Sequence, residues 1–356
     1  MVQIDLFISG EGGYHTYRIP SIIVTPGGAV LAFCEGRKHG RGDSGDIDIV
    51  MRRSPDGGET WEPMRVIADF GSDTIGNPCP VVDRETGVIW LLLTHNLGDD
   101  TEREIMEGTS RGTRTVWVMR SEDEGETWSE PVEITASVKP PNWTWYATGP
   151  GVGIQLRYGE HRGRLIIPCD HALAGSKVYR SHVIYSDDHG ESWRLGGAVG
   201  DHVNECQVVE LVDGRLLLNM RSYHGRNRRA VAFSADGGLT WSEPTLDPTL
   251  IEPVCQASIL RFTDRIEGDR NRILFSNPAS TRRERMTVRL SYDEGRSWPI
   301  SKVIHEGPSA YSCLAVFPDM TIGCLYERGR LHPYERITLA RFTLEWLTDG
   351  ADSIRR

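Results

Sequence analysis

The segment Arg37-Lys38-His39-Gly40-Arg41-Gly42-Asp43-Ser44-Gly45-Asp46-Ile47-Asp48 sets three carboxylates in a glycine-rich, polar loop before a strand-like run. A carboxyl on such a loop can exchange a proton with a group held beneath it. Asp43 lies within the loop, whereas Asp46 and Asp48 also suit the start of the strand. The three do not fit a calcium-loop spacing. Seven cysteines (Cys34, Cys79, Cys169, Cys206, Cys255, Cys313, Cys324) are odd in number, and the closest two are eleven residues apart. No C-x-x-C or H-E-x-x-H pattern occurs, so the expectation is buried, reduced thiols and no metal centre. Gly149-Pro150-Gly151-Val152-Gly153 has the glycines of a dinucleotide loop but no helical pattern after it. Asn142-Trp143-Thr144 is formally a glycosylation sequon.

Five other aspartates recur in one pattern. Ser-x-Asp-x-Gly-x-Thr/Ser-Trp runs over Ser54–Trp61, Ser121–Trp128, Ser186–Trp193, Ser234–Trp241 and Ser291–Trp298. The starts are 67, 65, 48 and 57 residues apart, and half of the ten tryptophans fill the last slot. Asp56, Asp123, Asp188, Asp236 and Asp293 are therefore expected to be structural, because an active site needs one constellation and not five copies. The octamer reads as a hairpin turn. Ser and Asp accept backbone N–H bonds, Gly takes a positive φ, and Trp packs the turn onto a sheet.

Each octamer follows a short strand-like stretch: Ile47–Arg53, Thr115–Arg120, His182–Tyr185, Ala230–Phe233 and Met286–Leu290. Further β-branched runs broken by Gly-Gly or Asp-Gly, such as Ile22–Leu31 and Val208–Asn219, lie between. No sustained helical period occurs. At 356 residues the length alone suggests two or three domains. Four short strands per roughly 60 residues, repeated, describe instead one all-β domain over 1–356, a six-bladed β-propeller whose chain ends share a blade.

Fifty Asp+Glu against 40 Lys+Arg give a net charge of −10, which argues against a general nucleic-acid binder. Local arginines can still dominate inside a pocket. The longest apolar run, Val88–Leu93, is too short to span a bilayer, and the N-terminus lacks a signal pattern. The chain as written reads as cytoplasmic, without membrane insertion, lectin module or carbohydrate-binding module.

The octamers resemble Asp-boxes (BNR repeats), and Tyr17-Arg18-Ile19-Pro20 resembles the arginine motif that opens sialidases. The resemblance is to the bacterial exo-α-neuraminidases of glycoside hydrolase family 33, from residue 14 to about 347. It implies retaining hydrolysis of a terminal α-sialoside on a glycan, with no cofactor. Three arginines would clamp the sugar carboxylate: Arg18, Arg221 in Leu218-Asn219-Met220-Arg221, and Arg283 in Thr281-Arg282-Arg283-Glu284-Arg285. Arg282 and Arg285 remain competitors for the third place. A planar guanidinium suits that role because it bonds a carboxylate through two N–H groups and stays charged.

An Asp or Glu nucleophile would meet the substrate carboxylate as a like charge, and sialidases use tyrosine. The resemblance assigns Tyr311, in Ser309-Ala310-Tyr311-Ser312, as nucleophile, and Glu205, in Val203-Asn204-Glu205-Cys206-Gln207, as its base. It assigns Asp43 as acid/base, with Asp46 as competitor, Glu327 as the partner of Arg18, and Arg37 as a contact for polar groups across the sugar ring. Trp143-Thr144-Trp145-Tyr146 suits either a pocket rim or packing between blades. Two alternatives share or break this constellation. A related 2-keto sugar acid, Kdn or Kdo, would use the same clamp. A non-catalytic Asp-box propeller binding glycans or proteins would be expected to lack some of these residues, yet all are present.

Overall fold

The structure is a computed structural model, which describes residues 1–176 and 178–354. It is all-β. The described helices are three short pieces, Glu102–Glu107, Thr135–Val138 and Leu344–Leu347. None is long and apolar enough to cross a membrane.

Antiparallel pairing of consecutive strands dominates. One four-stranded sheet runs Val203–Glu210, Leu216–Ser222, Arg228–Ser234, Thr245–Ile251 in chain order. A five-stranded sheet follows Trp143–Thr148, Leu165–Leu173, Tyr179–Ser186 and Arg194–Asp201, with the two-residue strand Ile154–Gln155 also paired to Leu165–Leu173. An eight-stranded sheet is two such runs joined by one parallel bridge, Ile47 to Thr74. A seven-stranded sheet is likewise two runs joined through the 17-residue strand Ile300–Val316. Val2–Ile8 pairs with Arg336–Phe342, so the chain's first and last strands share a sheet as expected.

The sheets stack face to face, and this decides burial. Every residue of Val30–Arg37 is buried, although a strand covered on one face only would alternate. Outer strands such as Arg194–Asp201 stay mostly accessible. All five stretches expected before the octamers are strands, and Ile22–Leu31 and Val208–Asn219 each span a strand–turn–strand pair. All seven cysteines are buried.

The octamer turns repeat atom for atom. Ser54 Oγ donates to Asp56 Oδ1 at 2.7 Å and accepts from the Gly58 N–H at 2.8 Å. Asp56 also accepts from the Thr60 N–H at 2.9 Å and the Thr60 hydroxyl at 2.6 Å. Ser186, Asp188, Gly190 and Ser192 make the same set. The turn needs two consecutive left-handed residues, for example His189 (φ 60°) and Gly190 (φ 95°). A second constraint acts on the glycine. A Cβ on Gly190 would lie 2.1 Å from the Trp90 indole, and one on Gly58 2.6 Å from Phe317. Each of these turns thus packs its backbone against the neighbouring sheet, at Trp90 within a strand and at Phe317 just past one.

Candidate active site

The octamers and the singular residues occupy opposite ends of the strands. In the hairpin Val30–Arg37/Ile47–Ser54, Arg37 faces Ile47 at one end and Val30 faces Ser54 at the other. At the Arg37 end, a pocket of about 280 Å³ is lined by Arg18, Arg37, Asp43, Glu205, Arg221, Arg283 and Tyr311. Residues separated by up to 293 positions in sequence thus meet at one place.

A repeated backbone irregularity delivers them. In five of the inner strands the ladder register shifts at this end: between Arg18 and Ser21, Gly76 and Cys79, Trp143 and Tyr146, Val203 and Cys206, and Ser309 and Ser312. Extra residues in a strand bend it and re-aim its side chains. Arg18, Asn77, Trp145, Glu205 and Tyr311 sit in or beside those shifts and all line the pocket. Ile19 (φ 64°) and Asn77 (φ 54°) take left-handed backbone there. That is strained for a β-branched residue and is held by its surroundings. The Ile19 N–H donates to Glu327 Oε1 at 2.9 Å.

Glu327 is fully buried and ties two inner strands together. It accepts from Arg18 Nε at 2.7 Å and from the Tyr311 N–H at 3.1 Å. The Tyr311 hydroxyl donates to Glu205 Oε1 at 2.5 Å. Arg221 Nη1 lies 2.8 Å from Glu205 Oε2 and 3.2 Å from the Tyr311 oxygen. The Arg18 and Arg283 guanidinium carbons stand 5.0 and 5.6 Å from the Tyr311 ring centre. Burial and the Glu205 carboxylate push the phenol well above its ordinary pKa, while Arg221 and Arg283 pull it down. The proton therefore rests on Tyr311, which shares it in the hydrogen bond to Glu205.

Of the three neighbouring arginines, Arg283 reaches the pocket, where it donates to the Tyr334 hydroxyl. Arg282 pairs with Glu284, and Arg285 with Glu306. Of the three loop aspartates, Asp43 reaches the pocket, 2.8 Å from Arg37 and 4.0 Å from Arg18. Asp46 is held by Lys38, and Asp48 by Lys38 and the Tyr14 hydroxyl. Burial raises the Asp43 pKa, but Arg37 and Arg18 outweigh it and hold the carboxyl below the usual range. Arg37 is itself braced by Glu35 at 2.6 Å. The aromatic segment divides between both of its readings. Trp145 lines the pocket, whereas Trp143 stacks on His171 and Tyr146 is core.

Several pocket residues carry no sequence motif: Glu35, Glu102, Arg114, Asp170, Tyr223 and Tyr334. Tyr334 lies over Arg18 at 3.9 Å. Burial, and then Glu205 and Glu102, push the Asp170 pKa well above its ordinary value, while Arg114 and Arg221 pull it down. An Asp inside the apolar run Leu165–Leu173 was a readable signal for a buried functional group. Tyr334 offered none.

A family model described as a BNR repeat-like domain matches residues 28–332. The "Sialidase" of Micromonospora viridifaciens is 41% identical over 360 residues, 96% of this chain and 54% of that protein. The "Sialidase" of Bacteroides fragilis is 32% identical over 91% of this chain and 62% of its own length. The chain therefore spans little more than half the length of these two relatives. The "Exo-alpha-sialidase" of Aspergillus fumigatus is 34% identical, covering 96% of this chain and 87% of that one. The solved "Hadza microbial sialidase Hz136" superimposes with a TM-score of 0.87 at 32% identity, over 97% of this chain and 69% of that chain. The curled sheets match the β-propeller architecture of sialidase structures. This chain belongs to the BNR-repeat sialidase family.

Proposed function

We propose that this chain is an exo-α-sialidase that releases terminal sialic acid from a glycan with retention of configuration. The observation that carries the reading is the 2.5 Å Tyr311–Glu205 hydrogen bond beside three guanidinium groups. A carboxylate nucleophile would be repelled by a bound 2-keto acid; a phenol is neutral until its proton leaves. Arg18, Arg221 and Arg283 bind the substrate carboxylate. Asp43 protonates the glycosidic oxygen as that bond breaks. The Tyr311 oxygen bonds to the anomeric carbon and its proton passes to Glu205. Water then attacks the tyrosyl glycoside, with Asp43 as base and Tyr311 as leaving group.

The depressed pKa of Asp43 fits this cycle. Arg37 and Arg18 favour its ionised form. A substrate carboxylate arriving at Arg18 offsets that cation, so Asp43 gains affinity for the proton it must donate. The acid is scarce in the free enzyme as pH rises, so kcat/KM is expected to fall from the acid side toward neutrality.

For the architecture we propose six blades in a single catalytic domain. Dividing the eight-stranded sheet at its Ile47–Thr74 bridge and the seven-stranded sheet within Ile300–Val316 leaves six antiparallel units. The functional test is release of fluorophore from matched aryl α-glycosides of N-acetylneuraminic acid, Kdn and Kdo, with Asp43→Ala and Tyr311→Phe controls. Turnover of the first, lost in both controls, is expected. Preference for Kdn or Kdo would keep the mechanism and change the substrate, and silence on all three from folded protein would overturn the reading.

A further inference from the structure

The inner strands follow one another around the pocket in a closed order. Thr16–Val24, which carries Arg18, packs against Ile300–Val316 on one side and Thr74–Val82 on the other. Beyond Thr74–Val82 come Leu165–Leu173, Val203–Glu210 and Ser258–Thr263, and the last returns to Ile300–Val316. Arg283 adjoins Glu284–Ser291, in the run that starts at Ser258–Thr263. Arg114 adjoins Thr115–Ser121, in the run that starts at Thr74–Val82. The two arginines therefore line the pocket from opposite sides.

Arg114 is only 2% exposed. Its Nη2 donates to Asn77 Oδ1 at 2.5 Å and to Thr94 Oγ1 at 2.9 Å, both neutral acceptors. Its Nε and Nη1 have no hydrogen-bond partner among the described residues. Asp170, on the same side, accepts from Asn204 through Oδ1 at 2.7 Å, and its Oδ2 likewise has no partner among them. Buried polar groups are ordinarily satisfied, so unpaired ones on a pocket wall mark positions for ligand atoms. Unpaired N–H groups beside an unpaired carboxyl oxygen fit a hydroxyl, which both accepts and donates.

The aromatic rings of the wall are occupied by cations. Arg114 lies over Trp145 at 3.9 Å, Arg18 over Tyr334 at 3.9 Å and Tyr311 at 5.0 Å, and Arg221 over Tyr223 at 5.2 Å. The other apolar side chains lining the pocket are Ile19 and Ala147. An N-acyl group ends in an alkyl group that needs an apolar seat, and a ring covered by a guanidinium is a poor one. The volume of about 280 Å³ also lies under the roughly 300–1,000 Å³ usual for ligand pockets, which favours a small substituent.

In the proposed binding mode the arginine clamp fixes the carboxylate on C2 of the sugar. C5 is the ring atom across from C2, so its substituent points to the side opposite Arg283, where Arg114 stands. We propose that Arg114 selects the sugar by its C5 substituent, favouring a hydroxyl over an N-acyl group, so that the preferred substrate is a 5-hydroxy sialoside of the Kdn class. The proposal rests on the sialidase reading and narrows its sugar. N-acetylneuraminic glycosides remain substrates, but poorer ones.

The test compares kcat/KM for aryl α-glycosides of Kdn and N-acetylneuraminic acid, matched in leaving group, in the wild type and Arg114→Leu. The wild type is expected to favour Kdn about tenfold, the scale of one well-placed hydrogen bond. In Arg114→Leu the Kdn value should fall about tenfold and the N-acetyl value should rise, reversing the preference. A merely structural arginine would lower both values together, and that result overturns the proposal. A wild type that favours the N-acetyl glycoside overturns it too. Where Arg114→Leu does not fold, Arg114→Lys keeps the charge and loses the planar fork. It should narrow the wild-type ratio, and an unchanged ratio overturns the proposal. If the wild type cleaves neither glycoside, the sialidase reading fails separately. Ligand NMR with free Kdn and free N-acetylneuraminic acid then decides the selection. Stronger binding of Kdn, weakened by Arg114→Leu, upholds it, and equal or absent binding overturns it.

Discussion

The two ends of the strands are built by opposite strategies. At the octamer end, one turn is copied five times, each closed by its own Ser, Asp and Thr or Ser within eight residues. At the pocket end a register shift recurs in five strands but no set of side chains does, and the contacts Arg18 to Glu327, Glu205 to Tyr311 and Arg283 to Tyr334 join distant segments. Local, redundant turns clamp neighbouring sheets together. Long-range, unrepeated contacts can then hold strained backbone and buried charge without the turns having to change. The difference teaches that this fold separates its stability devices from its chemistry along the length of each strand.

The largest expected effect tests the pocket end alone. Tyr311→Phe removes one oxygen, the proposed nucleophile and the donor to Glu205. The kcat for an aryl sialoside is expected to fall about 10³-fold or more, on the scale of losing a positioned catalytic group. The melting temperature should move by no more than about 3 °C. Large destabilisation in this variant would break the separation, because it would make the site a structural keystone.

Glu327→Gln probes the one place where the separation is expected to fail. Glu327 is buried and serves Arg18 and two backbone N–H groups from different strands. Breaking a buried pair on one side costs roughly 3–5 kcal/mol, and the amide's remaining hydrogen bonds offset part of that. We expect about 2 kcal/mol of lost stability in denaturant melts and about 10²-fold lower kcat/KM. Loss of activity with unchanged stability would sharpen the separation to completeness.

Legibility in the sequence follows the same division. The octamers were readable because each is local: turn chemistry is decided by residues within reach of one another, and five copies exclude coincidence. The strands before them followed. Tyr311, Glu205 and the arginines were legible only through family resemblance, because nothing in their own neighbourhood brings them together. The left-handed residue just before the turn's predicted glycine was missed at Glu124, His189 and Glu294, which carry no residue-type signal for it. The register shifts that aim Arg18, Glu205 and Tyr311 were also missed, because a bulge depends on the partner strand. Arg114 and Tyr334 reach the pocket through tertiary packing alone.

Gly190→Ala attacks the octamer end. The added methyl meets the Trp90 indole at 2.1 Å on a left-handed backbone, φ 95°. Strain and overpacking together are expected to cost about 2–4 kcal/mol of stability. Turnover per folded molecule, measured well below the melting temperature, should stay within twofold of the wild type. A variant that folds normally but loses turnover would show the turns communicating with the pocket.

The smallest effect is a pH dependence of opposite sign at the two ends. At the octamer end, slight burial raises the Asp188 pKa. The hydrogen bonds from Ser192 and Ser186 outweigh it, and the carboxyl lies below its ordinary value. Asp56, bonded by Thr60, is lowered too, as are Asp123, Asp236 and Asp293. A depressed folded pKa stabilises fully above the unfolded value of about 3.9 and is lost as pH falls through the folded one. In the pocket, Asp170 is pushed the other way by burial, and its ionisation opposes folding as pH rises. Asp188→Asn should therefore be less stable than the wild type by about 1 kcal/mol at pH 7, the scale of one lost capping hydrogen bond. The gap should close as pH falls below the ordinary carboxylate value of about 3.9 and the wild-type carboxylate also becomes protonated. Thermal melts of both proteins across that range decide it. A gap that stays constant with pH would mean that the turn draws on the shape of Asp188 and not on its charge.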